Sequence, residues 1–222
     1  MPCAPGTEPL IRDLFGASEA DRARSLGLTY LPGLALPCAP VLLTALGEIA
    51  TAAPFRNMLT PGGQRMSVAM TNCGAVGWVT DRRGYRYERL DPESGRPWPV
   101  LPDSFIELAQ RAAAEAGFAT FQPDVCLINR YEPGARMSLH QDRDERDLAA
   151  PIVSVSLGLD ATFLFGGLER SARPYRLPLS HGDVLVWGGE KRLAYHGVAP
   201  VADGCHESVG PVRINLTLRR AL

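Results

Sequence analysis

The sequence predicts an α+β protein whose C-terminal half, residues 121–222, is a double-sheet jelly roll. Helical apolar spacing occurs before residue 120, and the 100 residues after it form eight short strand-like runs separated by Gly, Pro and Asp turns. Short strands of this number and spacing are typical of a jelly roll, the fold also called a double-stranded β-helix. Hydrophobic residues make up 45% of the chain and charged residues 21%, so a packed core is expected.

The N-terminal half is predicted to contain two helices and a short strand. Residues 1–25 are mixed and polar and are expected to form a loose arm. In residues 26–120, GLTYLPGLAL indicates a strand, and PVLLTALGEIATAA has helical spacing with Pro40 in its first turn. SFIELAQRAAAEAGF predicts a second helix, with Ser104 and Glu107 as a capping box and Gly117 at its end.

The predicted jelly-roll strands share high β-propensity and turn residues at both ends. They are DVCLINRY, RMSLHQD, IVSVSLGL, ATFLFGG, YRLPL, DVLVWGG, RLAYHGV and RINLTLR. No internal repeat interrupts this succession, so a single catalytic domain is expected.

Charge and cysteine usage limit the class of protein. The net charge of -1 gives no sign of a broadly basic surface that binds nucleic acid, although an enzyme that contacts few phosphates remains compatible with it. Five cysteines without C-x-x-C spacing favour a reducing compartment. The first 20 residues lack the apolar segment of a signal peptide, so a cytoplasmic protein is expected.

His140, Asp142 and His196 form a candidate metal site. Two histidines and one carboxylate can hold one face of Fe(II) and leave the other face open for a co-substrate and O2. Both histidines follow strand-like runs, whereas His181 and His206 lie in turn-like contexts and are interpreted as structural. The alternative is that the H-x-D pair is a chance pattern of polar loop residues.

Arg213, Asn215 and Arg219 lie on one face of the last predicted strand. If the apolar residues between them pack between the sheets, the arginines face solvent. If the apolar residues meet the helices, the arginines face the interior, where a buried guanidinium needs an anion such as a dicarboxylate. Periodicity leaves both open. Asn129 and Tyr131 share a strand face in CLINRY and either add hydrogen bonds to the same co-substrate or are polar core residues. Together the two clusters indicate an iron enzyme that uses 2-oxoglutarate and O2.

A family resemblance covers roughly residues 25–220. CLINRYEPGARMSLHQDRDE, PIVSVSLGL, FGGLER, HGDVLVWGGE, YHGV, RINLTLR and, earlier, TPGGQRMSVAMTNCGAVGW and GYRY follow one another in specific order and spacing. The chain strongly resembles the AlkB family of DNA and RNA repair dioxygenases, most closely its bacterial members. The resemblance implies that residues 26–120 include a nucleotide-recognition lid above the jelly roll.

The resemblance implies cofactor roles. The implied Fe(II) ligands, which are also the catalytic residues, are His140, Asp142 and His196. The residues implied to bind 2-oxoglutarate are Asn129, Tyr131, Arg213, Asn215 and Arg219. Arg213 would pair with the far carboxylate, and Arg219 would lie near the metal-side carboxylate and Asp142. The family commonly has an aromatic residue where this chain has Leu218, a change that we expect to be tolerated.

The resemblance also implies substrate contacts. The implied residues are Trp78, Tyr85, Tyr87, Asp144 and Arg170. Trp78 and His140 would sandwich the target base, the two tyrosines would contact the nucleotide backbone, Asp144 would face the base edge and Arg170 would reach the substrate. The family also has aromatic and basic residues in the loops before the core, and Arg82, Arg83 and Arg86 fit that pattern. From the residues alone, Trp78 is equally a core tryptophan, and Asp144 belongs to a solvated charged loop.

The function implied is oxidative demethylation of 1-methyladenine and 3-methylcytosine in DNA or RNA, in single strands or flipped bases, by a monomer. Formaldehyde, succinate and CO2 would be released. One alternative is an oxygenase of the same fold that acts on a protein or small molecule; the aromatic and arginine-rich stretch from Trp78 to Arg89 argues against it. Another is a jelly-roll binding module without catalysis, which the intact metal set argues against.

Overall fold

Two facing β-sheets organise the computed structural model, which describes residues 18–222, and helices cover the outer face of the larger sheet. The helices are α1 (Glu19–Ser25), α2 (Ala39–Ala52) and α3 (Asp103–Glu115). The strands before residue 120 are β1 (Thr29–Leu31), β2 (Ala69–Gly74), β3 (Gly77–Asp81) and β4 (Gly84–Glu88). The later strands are β5 (Val125–Tyr131), β6 (Met137–His140), β7 (Ile152–Gly158), β8 (Ala161–Phe165), β9 (Tyr175–Leu179), β10 (Val184–Trp187), β11 (His196–Val198) and β12 (Arg213–Arg219).

The sheet topology confirms the predicted jelly-roll architecture. The larger sheet has the order β1-β10-β7-β12-β5-β2 and the smaller one β6-β11-β8-β9, and every pairing within them is antiparallel. β3 and β4 form a separate hairpin. One apolar cluster lies between the two sheets, and a second lies between the larger sheet and the helices. The described helices include none long and apolar enough to cross a membrane.

The central strand β12 decides the orientation that periodicity left open. Its apolar residues, Ile214, Leu216 and Leu218, belong to the cluster that packs against α2 and α3. Successive strand residues point to opposite faces, so the polar residues of β12 face the other sheet. Arg213 and Arg219 are only 1% and 4% exposed, which excludes the solvent-facing alternative.

We expect Leu216→Ala to lower the free energy of unfolding by about 2–5 kcal/mol, because it opens a cavity in the middle of the helix-covered face. Leu216 is fully buried between Ile128 and Val155 on the neighbouring strands. Denaturant unfolding would measure the loss. The control is Leu168→Ala, where the side chain is 55% exposed and a change within about 0.5 kcal/mol is expected. Equal effects from both variants would contradict the packing.

The N-terminal half contributes more to the core sheet than predicted. β1 and β2 form the two edges of the larger sheet. The core sheet therefore includes strands from before residue 120 as well as strands from after it. Residues 19–25 of the expected loose arm form α1, which Ser18 caps through a reciprocal bond with Asp21. Residues 1–17 of that arm lie outside the described residues.

The predicted capping box of the second long helix is wrong. α3 begins at Asp103 after Pro102, and no side chain caps it, so Ser104 and Glu107 lie within the first turns. Pro102 takes the N-cap position with φ of -64° and ψ of 142°, so the helix starts two residues earlier than a Ser104 cap indicated. Gly117 follows the helix with φ of 89°, as predicted for a C-terminal glycine.

Candidate metal and co-substrate site

Two paired strands bring the candidate ligands together. His140 ends β6 and His196 begins β11, and the two are direct partners in the ladder, with ring centroids 4.4 Å apart. Asp142 lies two residues beyond the end of β6 rather than on the strand. The ligand atoms of the three residues all lie within 4.8 Å of one another. The run RLAY before His196 is a turn, so its assignment as a strand is corrected.

Hydrogen bonds fix the tautomers of both histidines. The Nδ1 atom of His140 lies 2.9 Å from the Ser138 carbonyl, and that of His196 lies 3.0 Å from the Ala194 carbonyl. A carbonyl only accepts, so Nδ1 carries the proton and Nε2 keeps its lone pair. The Nε2 atoms lie 3.6 and 3.7 Å from the Asp142 carboxylate. The two Nε2 lone pairs and the carboxylate repel one another at this spacing unless a cation lies between them. Two imidazole nitrogens and one carboxylate form a donor set that suits Fe(II).

The surroundings of the site favour the anionic form of Asp142 and the neutral form of His140. Burial raises the pKa of Asp142, but the positive charge of Arg219 and the nearby histidines outweigh it and hold the pKa well below its usual value. Arg219 Nη2 lies 2.6 Å from the Asp142 carboxylate. Desolvation and His196 lower the pKa of His140 to about 4, so His140 is neutral at pH 7. Asp142 and His140 therefore need no proton loss before metal binding.

Arg213 is a buried cation that forms no ion pair with an acidic side chain in residues 18–222. Arg213 donates from Nη2 to Ser156 Oγ at 2.9 Å, and its guanidinium lies 5.0 Å from the centre of the Tyr131 ring. Its Nε and Nη1 atoms are buried without a hydrogen-bond partner. Desolvation lowers the pKa of Arg213. A buried guanidinium with two unused donors fits a carboxylate ligand, as 2-oxoglutarate would supply.

The two asparagines of this pocket lie opposite each other. Asn129 pairs with Asn215 across β5 and β12, and Asn129 donates to the Asn215 side-chain carbonyl at 3.3 Å. Among the described residues, the side-chain carbonyl oxygen of Asn129 is buried and has no hydrogen-bond partner. This oxygen therefore remains available to accept a hydrogen bond. Asn215 donates to Ser154 Oγ at 2.7 Å and to the Val155 carbonyl at 3.1 Å. Asn215 thus orients Asn129 within the sheet.

The β3–β4 hairpin places aromatic groups next to the acidic loop that follows β6. Trp78 stacks on Tyr85 with ring centroids 5.6 Å apart. Its indole Nε1 donates to Asp144 at 2.9 Å. Asp144 is exposed, and Tyr85 is 51% exposed. Three of the predicted substrate residues are therefore together on an accessible surface.

Tyr87 has its hydroxyl bound by two other side chains. Its hydroxyl donates to Glu145 at 2.7 Å and accepts from Arg219 Nη1 at 3.3 Å. Burial raises the pKa of this phenol. The implied contact of Tyr87 with the nucleotide backbone stays a prediction, and in this structure its hydroxyl is bound within the protein. On the same hairpin, Arg83 and Arg86 bind Asp81, so they too are engaged.

Arg170 occupies an exposed turn between β8 and β9. Among the described residues it has no ion-pair partner, and Arg82 on the hairpin turn has none either. Both guanidinium groups are available to an anionic ligand. The structure does not bring Arg170 into contact with the three ligands.

Sequence reasoning missed Glu145 and Arg192, which are 6% and 3% exposed. Glu145 stands in DRDERD, which has the composition of a solvated loop, and Arg192 stands in the run predicted to be a strand. The two form an ion pair of 3.1 Å beneath Asp142. No local pattern distinguishes them from surface charges, because their burial depends on which segments meet.

His181 and His206 are structural, as predicted. His181 accepts a hydrogen bond from the Gly158 amide at 3.0 Å, and its ring stacks on His206 at 4.2 Å. His206 accepts from the Ser208 amide at 3.2 Å. Neither belongs to the three-residue metal cluster found among the described residues.

The chain is similar to known proteins in both sequence and structure. The model of the 2OG-Fe(II) oxygenase superfamily matches residues 27–219. The chain is 56% identical to the alpha-ketoglutarate-dependent dioxygenase AlkB of Salmonella typhimurium over 94% of this chain and 97% of that protein. It is 32% identical to the DNA N(6)-methyladenine demethylase ALKBH1C of Arabidopsis thaliana over 67% of this chain and 38% of that protein. The solved structure of OsALKBH1 superposes with a TM-score of 0.76 at 26% identity, covering 87% of this chain and 96% of that one.

Proposed function

Since the chain belongs to the 2OG-Fe(II) oxygenase superfamily, we propose that it removes methyl groups from alkylated bases of nucleic acids, using Fe(II), O2 and 2-oxoglutarate. The observation that carries the proposal is the meeting of three elements. The donor set of His140, Asp142 and His196 occurs together with Arg213, a buried guanidinium whose Nε and Nη1 have no hydrogen-bond partner among the described residues, and the Trp78–Asp144 pair lies at the accessible side. These elements correspond to a metal site, a co-substrate site and a site for a cationic base.

The co-substrate pocket orients a dicarboxylate. Arg213 offers a carboxylate a buried positive charge and two donors, Nε and Nη1, that have no hydrogen-bond partner among the described residues. Tyr131 and Asn129 line the same face of β5 and restrict the position of that carboxylate. His140, Asp142 and His196 would hold the metal. When bound, Fe(II) with 2-oxoglutarate and O2 supplies the oxidation of the N-methyl group, with succinate and CO2 as the other products.

Oxidation suits the substrate because a methyl group on a ring nitrogen cannot leave in a simple hydrolysis. Once the methyl carbon carries a hydroxyl group, the C–N bond breaks, formaldehyde is released and the ring nitrogen keeps the electron pair. The methylated base is a cation. Asp144 presents a carboxylate at the accessible surface, and Trp78 presents an aromatic face beside it, so charge attraction and cation–π stacking both favour this base.

Nucleic acid would present the base outside its stack. Reaching a ring nitrogen requires a single strand or a flipped nucleotide, and a methylated base pairs poorly, which lowers the cost of flipping. The exposed guanidinium groups of Arg82 and Arg170 can pair with phosphates although the chain has a net charge of -1. We further propose that the protein acts as a cytoplasmic monomer on such substrates.

Mass spectrometry of an oligonucleotide with one 3-methylcytosine tests this function. The protein is incubated with the oligonucleotide, Fe(II), 2-oxoglutarate, ascorbate and air, and His140→Ala is run in parallel. We expect the wild type alone to remove one CH2 from the oligonucleotide and to form succinate. Succinate without a mass change would reject the base substrate and favour an oxygenase of a protein or small molecule. Neither signal from folded, iron-loaded protein would favour a binding module.

We expect Trp78→Ala to raise the KM for the methylated oligonucleotide about 5- to 150-fold, because stacking on an aromatic side chain contributes about 1–3 kcal/mol per base. The variant also removes the indole donor to Asp144. Steady-state kinetics would measure the change, and Trp78→Phe is the matched control because it keeps an aromatic face. An unchanged KM in Trp78→Ala would exclude the stacking role.

A further inference from the structure

Arg192 connects the two chain segments that carry the candidate ligands. It follows a short 3-10 turn, Gly189–Lys191, and stands four residues before His196. Its side chain is 3% exposed. Nη1 donates to the main-chain carbonyl of Asp142 at 2.7 Å, Nε donates to the Ala150 carbonyl at 2.9 Å and Nη2 donates to Glu145 at 3.1 Å. One guanidinium therefore binds the loop after β6 at three points.

Glu145 extends this contact to the carboxylate of Asp142. One oxygen of Glu145 binds Arg192, and the other accepts from Tyr87 and lies 3.5 Å from Arg219 Nε. Arg219 in turn lies 2.6 Å from the Asp142 carboxylate. Asp142 is thus held at its backbone by one arginine and at its side chain by another, and Glu145 joins the two arginines.

A second bond ties the same segments together. The side-chain amide of Gln141 donates to the carbonyl of Leu193 at 2.7 Å, directly beside the contact between Arg192 and Asp142. The β6–β11 ladder fixes His140 against His196, but Asp142 lies beyond the end of that ladder. Only contacts outside the sheet can set its position relative to the histidines.

We propose that Arg192 is a positioning residue for the metal site: it holds the Asp142 loop against the segment of His196, so that the three ligands converge before the metal binds. The proposal rests on the proposed function, since it concerns the same site. Groups that orient metal ligands affect affinity by about 10- to 100-fold when they are removed. A purely structural arginine would change stability and leave metal affinity unchanged.

The test measures metal binding apart from turnover. Co(II) alone is titrated into the apo protein, and its visible absorption reports both affinity and coordination geometry. We expect Arg192→Met to weaken Co(II) binding about 10- to 100-fold and to alter the spectrum. Arg56→Met is the matched control, because Arg56 is a mostly buried arginine that pairs with Asp91 and lies over Trp98. It is expected to lower the free energy of unfolding without changing Co(II) affinity.

A second variant keeps the test decisive if Arg192→Met does not fold. Arg192→Lys retains the charge beside Glu145, but a single ammonium group cannot reach all three acceptors in the geometry of the guanidinium fork. We expect it to fold and still bind Co(II) at least about 5-fold more weakly than wild type. Affinity within about twofold of wild type in either folded variant would overturn the proposal. If the wild type binds Co(II) but does not demethylate the oligonucleotide, the proposed function fails, and the Co(II) affinities of the variants still decide the positioning role.

Discussion

Asp142→Asn is expected to abolish demethylation and to weaken Fe(II) binding by more than the about 10- to 100-fold that loss of an outer partner costs. The substitution keeps the shape of the side chain but removes the only anionic ligand of the three. The carboxylate lies within 3.7 Å of both histidine Nε2 atoms. An amide in this place donates to those lone pairs and competes with the metal for them.

Asp183→Asn is the control for this result. Asp183 is also a buried carboxylate, but it accepts hydrogen bonds from Tyr30, Gly33 and Ser180 and lies outside the metal cluster. It is expected to lower stability and to leave the Fe(II) dissociation constant unchanged. Isothermal titration under anaerobic conditions, with circular dichroism to check folding, gives both quantities. Wild-type Fe(II) affinity in folded Asp142→Asn would remove Asp142 from the ligand set.

Arg213→Met is expected to raise the dissociation constant for 2-oxoglutarate by about 30-fold or more, because truncating one partner of a buried charge pair costs about 2–5 kcal/mol. The same substitution is expected to leave the apo protein at least as stable as wild type. The guanidinium is 1% exposed and has two donors without partners, so an apolar side chain of similar length removes an uncompensated buried charge. The free energy of unfolding of the apo protein should therefore rise or stay equal.

Thermal unfolding with and without 2-oxoglutarate separates these effects. We expect 2-oxoglutarate to raise the Tm of wild type and to leave Arg213→Met nearly unchanged. Arg130→Met on the neighbouring strand is the control, since Arg130 is 40% exposed and pairs with Glu132. It should behave as wild type toward 2-oxoglutarate. An equal ligand-induced shift in Arg213→Met would show that Arg213 does not bind the co-substrate.

Most of the jelly-roll strands could be predicted because alternating polarity and turn residues are local signals. β5, β7, β8, β9, β10 and β12 lie within the runs that the sequence indicated. The strand predicted for RLAY is wrong because its apolar composition is compatible with a turn as well as with a strand. The backbone turns there, and Arg192 reaches the Asp142 loop. The start of α3 failed because the proline before it outweighed a serine capping signal.

The candidate metal set could be identified from the sequence because the chain has only four histidines and two of them follow strand-like runs. The direction of Arg213 and Arg219 could not, since a strand with alternating polar and apolar residues fits either face. The hydroxyl contacts of Tyr87 could not be predicted for a related reason. Its neighbours Glu145 and Arg219 are 58 and 132 residues away in the chain, so no local pattern reveals that its hydroxyl is already bound.

By itself, the sequence determined which residue types carry the chemistry, the strand pattern and the resemblance to a family. Only the tertiary structure decided that β12 turns its apolar face to the helices, that Arg213 is buried without a counter-charge, and that Arg192 and Glu145 lie beneath Asp142. Residue type and periodicity act over a few positions along the chain. Burial and pairing of charges depend on which distant segments meet, because the cost of an unpaired charge is set by the surroundings that folding creates.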